Sequence, residues 1–344
     1  MDPLEALERV VYLQDRGLLP SQKTAAFLRA ADVVRSLPPG ELEARVAAGT
    51  LTELPGIGAS TGEVIAQAVQ GKVPDRITRL EAETAIEVHE GAAIRAALKG
   101  DCHTHSTWSD GGAPIEAMAR TAIALGHQYL VVTDHSPRLT VAHGLDRDRL
   151  KAQLDEIDAL NERLAPFRIL TGIEVDILVD GALDQDHDML ERLDLVVASV
   201  HSKLSMDERH MTERMLLAVS SPLVDVLGHC TGRKVKGQEG ALKEVRPRSS
   251  FDAALVFAAC AHFDTAVEIN CRPERQDPPP ELLDLALDLE CKISIDTDAH
   301  APGQLEFIAY GADKAARHGI DPARIINTWS ADDLVAWTRG HRAA

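Results

Sequence analysis

No apolar run in this 344-residue sequence approaches the roughly 20 residues a membrane-spanning helix needs. Cysteine is scarce and unpatterned. Cys102, Cys230, Cys260, Cys271 and Cys291 are five, an odd number, with no CxxC spacing. That excludes a disulfide framework and predicts free thiols in a reducing cytoplasm. The first residues, MDPLEALERVV, are acidic and amphipathic, unlike a secretory signal. Basic surplus is missing too: net charge is −18. Residues 1–95 hold 10 Lys+Arg and 14 Asp+Glu, and the rest of the chain carries the remaining −14. Neither part has the basic excess usual in nucleic-acid binders. There is no internal repeat and no low-complexity tract. What is present is 45% hydrophobic residues, ordinary for a globular protein. The length suits one large domain with a smaller one, or two comparable ones.

Residues 1–74 read as helices. Leu4, Leu7, Val10, Val11 and Leu13 fall at near-helical spacing, and a second periodic run follows over 25–37. Pro38, Pro39 and Gly40 break it. Leu54-Pro-Gly-Ile-Gly58 then precedes a helix over about 60–69. Residues 75–99, charged and alanine-rich, predict a helical connector. From residue 100 to about 340 the pattern changes: short apolar runs alternate with helical stretches. Strands are expected at 101–105, 129–133, 168–174, 195–200, 224–229, 266–270 and 292–296. Seven strands with helices between them predict a parallel α/β sheet or barrel.

The side chains at the ends of those strands carry the chemistry. His103 and His105, two apart at the end of the first strand, share a face. Asp110 follows in a Ser-Asp-Gly turn. His135, Glu174, His201 and His229 close the second to fifth strands, and Asp298 and His300 follow the seventh. In parallel α/β folds the carboxyl ends of strands converge on one face, where sites are built. Imidazole and carboxylate without thiolate suit Zn, Mn or Fe. Nine ligands exceed the needs of one tetrahedral ion, so two or three divalent ions are expected. A lone histidine at a strand end is usually structural. It is the joint placement that points to metal, and hence to hydrolysis of phosphate esters. His89, His127, His143, His210, His262, His318 and His341 lack such placement and are expected to be solvated.

At these residues the chain resembles the PHP (polymerase and histidinol phosphatase) superfamily over about 101–339. The matching motifs are His103-Thr-His105 with Asp110-Gly, Thr133-Asp-His135-Ser, Gly172-Ile-Glu174, Ser199-Val-His201-Ser, Gly228-His229 and Asp296-Thr-Asp298-Ala-His300. Gly144-Leu-Asp, Thr231-Gly-Arg233, Glu268-Ile-Asn270, Arg275-Gln-Asp277 and Ile326-Asn-Thr328 are similar to the branch found in bacterial X-family DNA polymerases. The resemblance implies a distorted seven-stranded (βα)7 barrel and three ions. His103, His105, Glu174 and Asp298 would hold the first. Glu174, as bridge, would hold the second with His201 and His229. Asp110, His135 and His300 would hold the third. It implies attack on phosphorus by a hydroxide between the first two ions, with Glu174 and His201 central to catalysis. Near these motifs Lys203, Arg233 and Arg275 are candidate phosphate contacts.

Residues 4–74 resemble the N-terminal helical domain of X-family polymerases, with Leu54–Gly58 as a helix-hairpin-helix. Glycines there let backbone amides approach a phosphate at a helix N-terminus. Gly56, Ile57, Gly58 and Ser60 are the candidate DNA contacts, within residues 51–62. Ala59 stands where a basic residue would help, and Glu63 lies on the next turn. The connector leaves no room for a polymerase palm, so no polymerisation of nucleoside triphosphates is expected. Two readings compete. One is DNA-end processing in repair, as a 3′–5′ exonuclease, 3′ phosphatase or abasic-site nuclease. The other is a small-molecule phosphomonoesterase such as a histidinol-phosphate phosphatase, which the acidic charge favours. A catalytically silent DNA-binding scaffold is disfavoured by the complete ligand set.

Overall fold

The computed structural model describes residues 1–237 and 242–342. The side chain of His341, one of the histidines expected to be solvated, lies outside the described residues. The chain forms two compact units, one of 1–86 with 302–304, the other of 87–301 with 305–344.

The first unit is helical: α1 (Pro3–Arg16), α2 (Ser21–Ser36), α3 (Glu41–Ala48), α4 (Ala59–Val69) and α5 (Asp75–Glu83). Asp2 caps α1 by accepting hydrogen bonds from the amides of Leu4 and Glu5, donors that a helix leaves unpaired. Leu7, Val10 and Leu13 of α1 meet Phe27, Ala30, Val64, Ile65, Ile77 and Leu80 in one core. The segment 75–99, expected as a connector, therefore divides. Its first helix packs Ile77 and Leu80 into this core, while α6 (Ala92–Ala97) belongs to the second unit.

The second unit is built on β1 (Gly100–Thr104), β2 (Tyr129–Val132), β3 (Arg168–Asp176), β4 (Leu195–Ser199), β5 (Val226–Leu227), β6 (Lys234–Lys236), β7 (Lys243–Arg246), β8 (Ala266–Asn270) and β9 (Ile293–Asp296). Seven of these pair in the order β1-β2-β3-β4-β5-β8-β9, every pair parallel. Runs such as YLVV and LVVAS are buried at every position, as parallel strands covered on both faces require. The edge strands β1 and β9 meet through a single parallel bridge, Thr104 to Ala299. Below it, side chains replace the ladder: Cys102 N donates to Asp296 Oδ1 at 2.9 Å and Thr297 Oγ1 donates to Asp101. The result is a nearly closed, distorted seven-stranded α/β barrel, as expected. The two-stranded antiparallel sheet β6–β7 was not foreseen.

The intervening helices are α7 (Ile115–Ala124), α8 (Arg147–Leu164), α9 (His187–Leu190), α10 (Glu208–Val219), α11 (Ala253–Phe263), α12 (Pro280–Asp288), α13 (Ile308–Arg317) and α14 (Ala331–Arg342). In α8, Asp146 caps the start, and Leu150, Leu154, Ile157, Leu160 and Leu164 recur at helical spacing on the buried face. Of these, Ile157, Leu160 and Leu164 join Ile115, Met118 and Ala122 of α7 in covering Leu130, Val132 and Ile169. Cys102, Tyr129, Val131, Leu170, Leu195, Val197, Val226 and Ala266 fill a second core against Ile326, Leu334 and Val335. Beyond this core, the candidate ligands lie at or just after the carboxyl ends of the strands.

Candidate metal centre

All nine expected ligands converge on one point, and Glu174 is its hub. Its Oε1 lies 2.9 Å from His229 Nε2 and 3.1 Å from His201 Nε2. Its Oε2 lies 2.8 Å from His135 Nδ1, 3.4 Å from His103 Nε2 and 3.6 Å from His105 Nε2. One carboxylate thus faces two sets of imidazoles. His105 Nε2 is 3.3 Å from Asp298 Oδ1. Asp110 Oδ1 is 3.5 Å from His135 Nε2 and 3.4 Å from His300 Nε2. Three groups have ligand atoms close enough to share an ion: His105, Asp110, His135 and His300; His103, His105 and Asp298; His135, Glu174 and His201.

Local structure explains the convergence. Asp134, buried beside His135, accepts hydrogen bonds from Ser106 N and Oγ, Ser109 N and Oγ, and Gln153 Nε2. That pins the turn bearing Asp110. A parallel bridge links His135 to Glu174. Gly228, just before His229, has no room for a side chain: a Cβ there would lie 2.3 Å from Ser199 Oγ.

The residues fit metal better than they fit each other. Nitrogens of His103, His105, His135, His201 and His229 are buried without a hydrogen-bond partner, a costly state for polar groups unless an ion completes it. Burial alone would raise the Glu174 carboxyl, but His201, His103 and His135 hold it well below the usual carboxylate range. Burial likewise opposes ionisation of Asp298, and Arg275 with His105 holds it low. Ionised carboxylates among imidazoles are the donor set a divalent ion requires.

A further ring of side chains orients the ligands. Glu268 receives His103 Nδ1 at 2.6 Å and His229 N at 2.5 Å. Asp176 Oδ1 accepts from His201 N at 3.0 Å. Asn270 Nδ2 donates to Asp298 Oδ2 at 3.1 Å. Arg272 Nη1 is 2.8 Å from both Asp298 O and His300 Nδ1. Sequence reasoning assigned none of these four a role. Asn270 and Asp176 end β8 and β3, a placement that marks site residues, whereas Glu268 lies inside β8 and Arg272 two residues beyond it.

The phosphate candidates separate. Arg275 lines the cavity of about 220 Å³ over the cluster, and its Nε is 3.1 Å from Asp298 Oδ2. Arg233 is buried and spends its donors on the carbonyls of Arg275 and Gln276. Lys203 is exposed and does not line that cavity. Lys234 and Arg272 do, as do Leu139, Val141 and Ala142. His127 is not solvated as expected: it is 5% exposed, and burial followed by Arg95 lowers it to about 4.

In the helical unit, the amide of Ile57 donates to Leu54 O, and that of Gly58 to Thr61 Oγ1. Two amides of the expected phosphate cradle are therefore spent within the hairpin, and the Ile57 side chain is buried. Gly56 has φ +96°, where glycine is favoured. Ser60 Oγ accepts from Arg76 Nη1 at 2.9 Å, which brings a cation to the hairpin that the motif itself lacks. No helix among the described residues is long and apolar enough to cross a membrane, and all five cysteines are buried and free.

The PHP domain model matches residues 101–270. The chain is 38% identical over 242 residues to the DNA polymerase/3′-5′ exonuclease PolX of Bacillus subtilis, an alignment covering 70% of this chain and 41% of that protein. This chain therefore spans less than half of that relative. It is 27% identical over 240 residues to a probable phosphatase of a Thermoanaerobacter species, covering 66% and 89%. A solved histidinol phosphate phosphatase of Lactococcus lactis, complexed with Zn, L-histidinol and phosphate, superposes with a TM-score of 0.44 at 18% identity, covering 64% and 94%. By its motifs, barrel and matched residues, this chain carries a PHP domain.

Proposed function

We propose that the chain hydrolyses phosphate esters at DNA ends, as a 3′–5′ exonuclease, 3′ phosphatase or abasic-site nuclease. The observation that carries hydrolysis is the carboxylate-centred cluster, with two faces of Glu174 turned to different imidazoles. Three divalent ions, Zn, Mn or Fe, fit the nine ligands. His103, His105, Glu174 and Asp298 would hold one, Glu174, His201 and His229 another, and Asp110, His135 and His300 the third. Such ions polarise phosphoryl oxygens and bring bound water to a pKa of about 7.

The protein's own residues do the rest. Glu268 and Asp176 orient His103, His229 and His201. Arg275, Arg272 and Lys234 present positive charge to the non-bridging oxygens of a phosphate in the cavity. Leu139, Val141 and Ala142 add apolar surface to the cavity lining. DNA as substrate is supported by the PolX relative and by the hairpin before α4.

The second reading, a small phosphomonoester, has its own support. The cavity is small, the net charge is −18, and several relatives are named probable phosphatases. Metal-reconstituted protein offered a 3′-labelled oligonucleotide and histidinol phosphate in parallel separates the two. Cleavage of the oligonucleotide, lost in His103→Ala, is the expected result. Robust phosphatase activity with no cleavage sinks the DNA reading.

A further inference from the structure

The antiparallel pair β6–β7 is a local exception to the acidity of this chain. It carries Lys234, Lys236, Lys243 and Arg246 within strands of three and four residues. Register pairs Lys234 with Arg246 and Lys236 with Lys243, while Val235 opposes Glu244. Alternate residues on a strand share a face, and so do residues directly opposite across an antiparallel pair. A register shift between Lys234 and Val235 interrupts the ladder, so alternation and direct opposition place Lys234, Lys236 and Lys243 on one face, with Arg246 opposite Lys234 across the bulge. Val235 lies on the other, buried at 3% exposure, with its amide donating to Glu274 O at 2.7 Å.

Like charges directly opposite one another destabilise a sheet, and here the pairs Lys234–Arg246 and Lys236–Lys243 are both cationic. Arg246 spends its Nε on Gly232 O at 2.7 Å. Lys234, Lys236 and Lys243 make no ion pair or side-chain hydrogen bond among the described residues, although acidic residues outnumber basic ones 54 to 36 in the chain. Local choices that contradict stability concentrate where function needs them. The face also leads somewhere. Lys234 lines the cavity over the metal cluster beside Arg272 and Arg275, and burial together with Arg275, Arg246 and Arg272 holds its ammonium below the ordinary lysine range. Lys236 and Lys243 continue this charge outward onto exposed surface. Residues two apart on a strand are about 6.7 Å apart, an interval on which an extended single strand can set successive phosphates.

We propose that the cationic face of β6–β7 is the track along which a single-stranded nucleic acid lies, delivering its terminal phosphate ester to the metal cluster. This rests on the DNA-end reading above and names the surface that binds the strand. It also resolves the conflict between a polyanionic substrate and an acidic protein: the binding charge is local, and the excess acidity lies elsewhere.

The test uses the full-length, metal-loaded protein and a fluorescent oligothymidylate with phosphorothioate linkages, which resists hydrolysis. Lys236→Glu/Lys243→Glu should weaken binding at least tenfold at low salt. It should also reduce the slope of log Kd against log salt by about 1.4, the loss of two contacts at about 0.7 each. Lys99→Glu/Lys292→Glu is the charge-matched control, because these residues precede β1 and β9 at the opposite end of the barrel. It should change Kd less than twofold. Melting curves establish that both variants fold. Equal weakening by both pairs, or an unchanged Kd and slope in the first, overturns the track. Cleavage of an ordinary 3′-labelled oligonucleotide by the unaltered protein is read separately. Binding that depends on Lys236 and Lys243, without cleavage, supports the track and overturns the DNA-end activity. Cleavage with binding independent of Lys236 and Lys243 does the reverse.

Discussion

Glu268 shows how much of a metal centre lies outside its ligands. Its two oxygens hold the Nδ1 of His103 and the backbone amide of His229, so one carboxylate fixes a tautomer and a main-chain position together. Outer partners of this kind typically control metal affinity by 10- to 100-fold. Glu268→Gln keeps the size and removes the charge. We expect metal affinity to fall by about that range in competition with a chromophoric chelator, with the fold intact. Unchanged affinity would show that the ligands position themselves. Arg275 and Lys203 make a second contrast. Both stood as phosphate contacts in the sequence, yet Arg275 lines the cavity and Lys203 does not. Arg275→Met should lower kcat/KM for a phosphate ester by about a hundredfold, on the scale of losing one preorganised electrostatic contact. Lys203→Ala should stay within about threefold. Reversed effects would mean that the substrate approaches from the Lys203 side. The nine ligands were legible because strand ends are short, apolar and well marked. Arg272 and Glu268 were not, because nothing local separates a charged residue that orients a ligand from one on the surface.

Elements were legible where their periodicity was backed by burial. All seven barrel strands lie where the apolar runs put them, within about two residues. The β6–β7 pair was not legible, since KVK and KEVR offer one buried valine between them and no apolar alternation. The helix α1 was foreseen from its leucine and valine spacing, but one of its polar residues has a consequence no pattern reveals. Burial pushes the Asp15 carboxyl from 3.8 up to about 7. Between those values the folded state binds the proton more often than the unfolded chain does. Stability should therefore fall as pH rises from about 4 to about 7, and level off on either side. Asp15→Asn cannot ionise and should lose this slope. It should match the unaltered protein below pH 4 and exceed it by about 1–3 kcal/mol at pH 8, a discounted share of the full shift. Melting curves of the two proteins across this range check it. Parallel pH dependences would mean that Asp15 is solvated in the folded state.

For the whole molecule, the barrel has two different cores, and only one is self-sufficient. The apolar core around Val131, Leu195 and Val197 needs no partner beyond its own side chains. The polar core at the carboxyl ends gathers Glu174 and five imidazoles, each with at least one buried nitrogen that lacks a hydrogen-bond partner. Left alone, that arrangement costs free energy, since each buried polar group without a partner costs about 1–3 kcal/mol. Metal binding removes the cost only in the folded state, because the unfolded chain scatters the nine ligands along some 200 residues of sequence, from 103 to 300. The linkage is then direct. Free metal at about 100 times its Kd stabilises the fold by about 2.7 kcal/mol per site. In a unit of about 250 residues, 1 kcal/mol moves Tm by about 2–4 °C. Chelation should therefore lower the melting transition of the barrel by about 5–10 °C for each ion removed, and Zn or Mn should restore it. Transitions of the helical unit should not move, because none of the nine ligands belongs to it. A barrel transition indifferent to chelator, in protein shown by mass spectrometry to have lost its metal, would mean that the imidazoles satisfy one another and that the polar core is as independent as the apolar one.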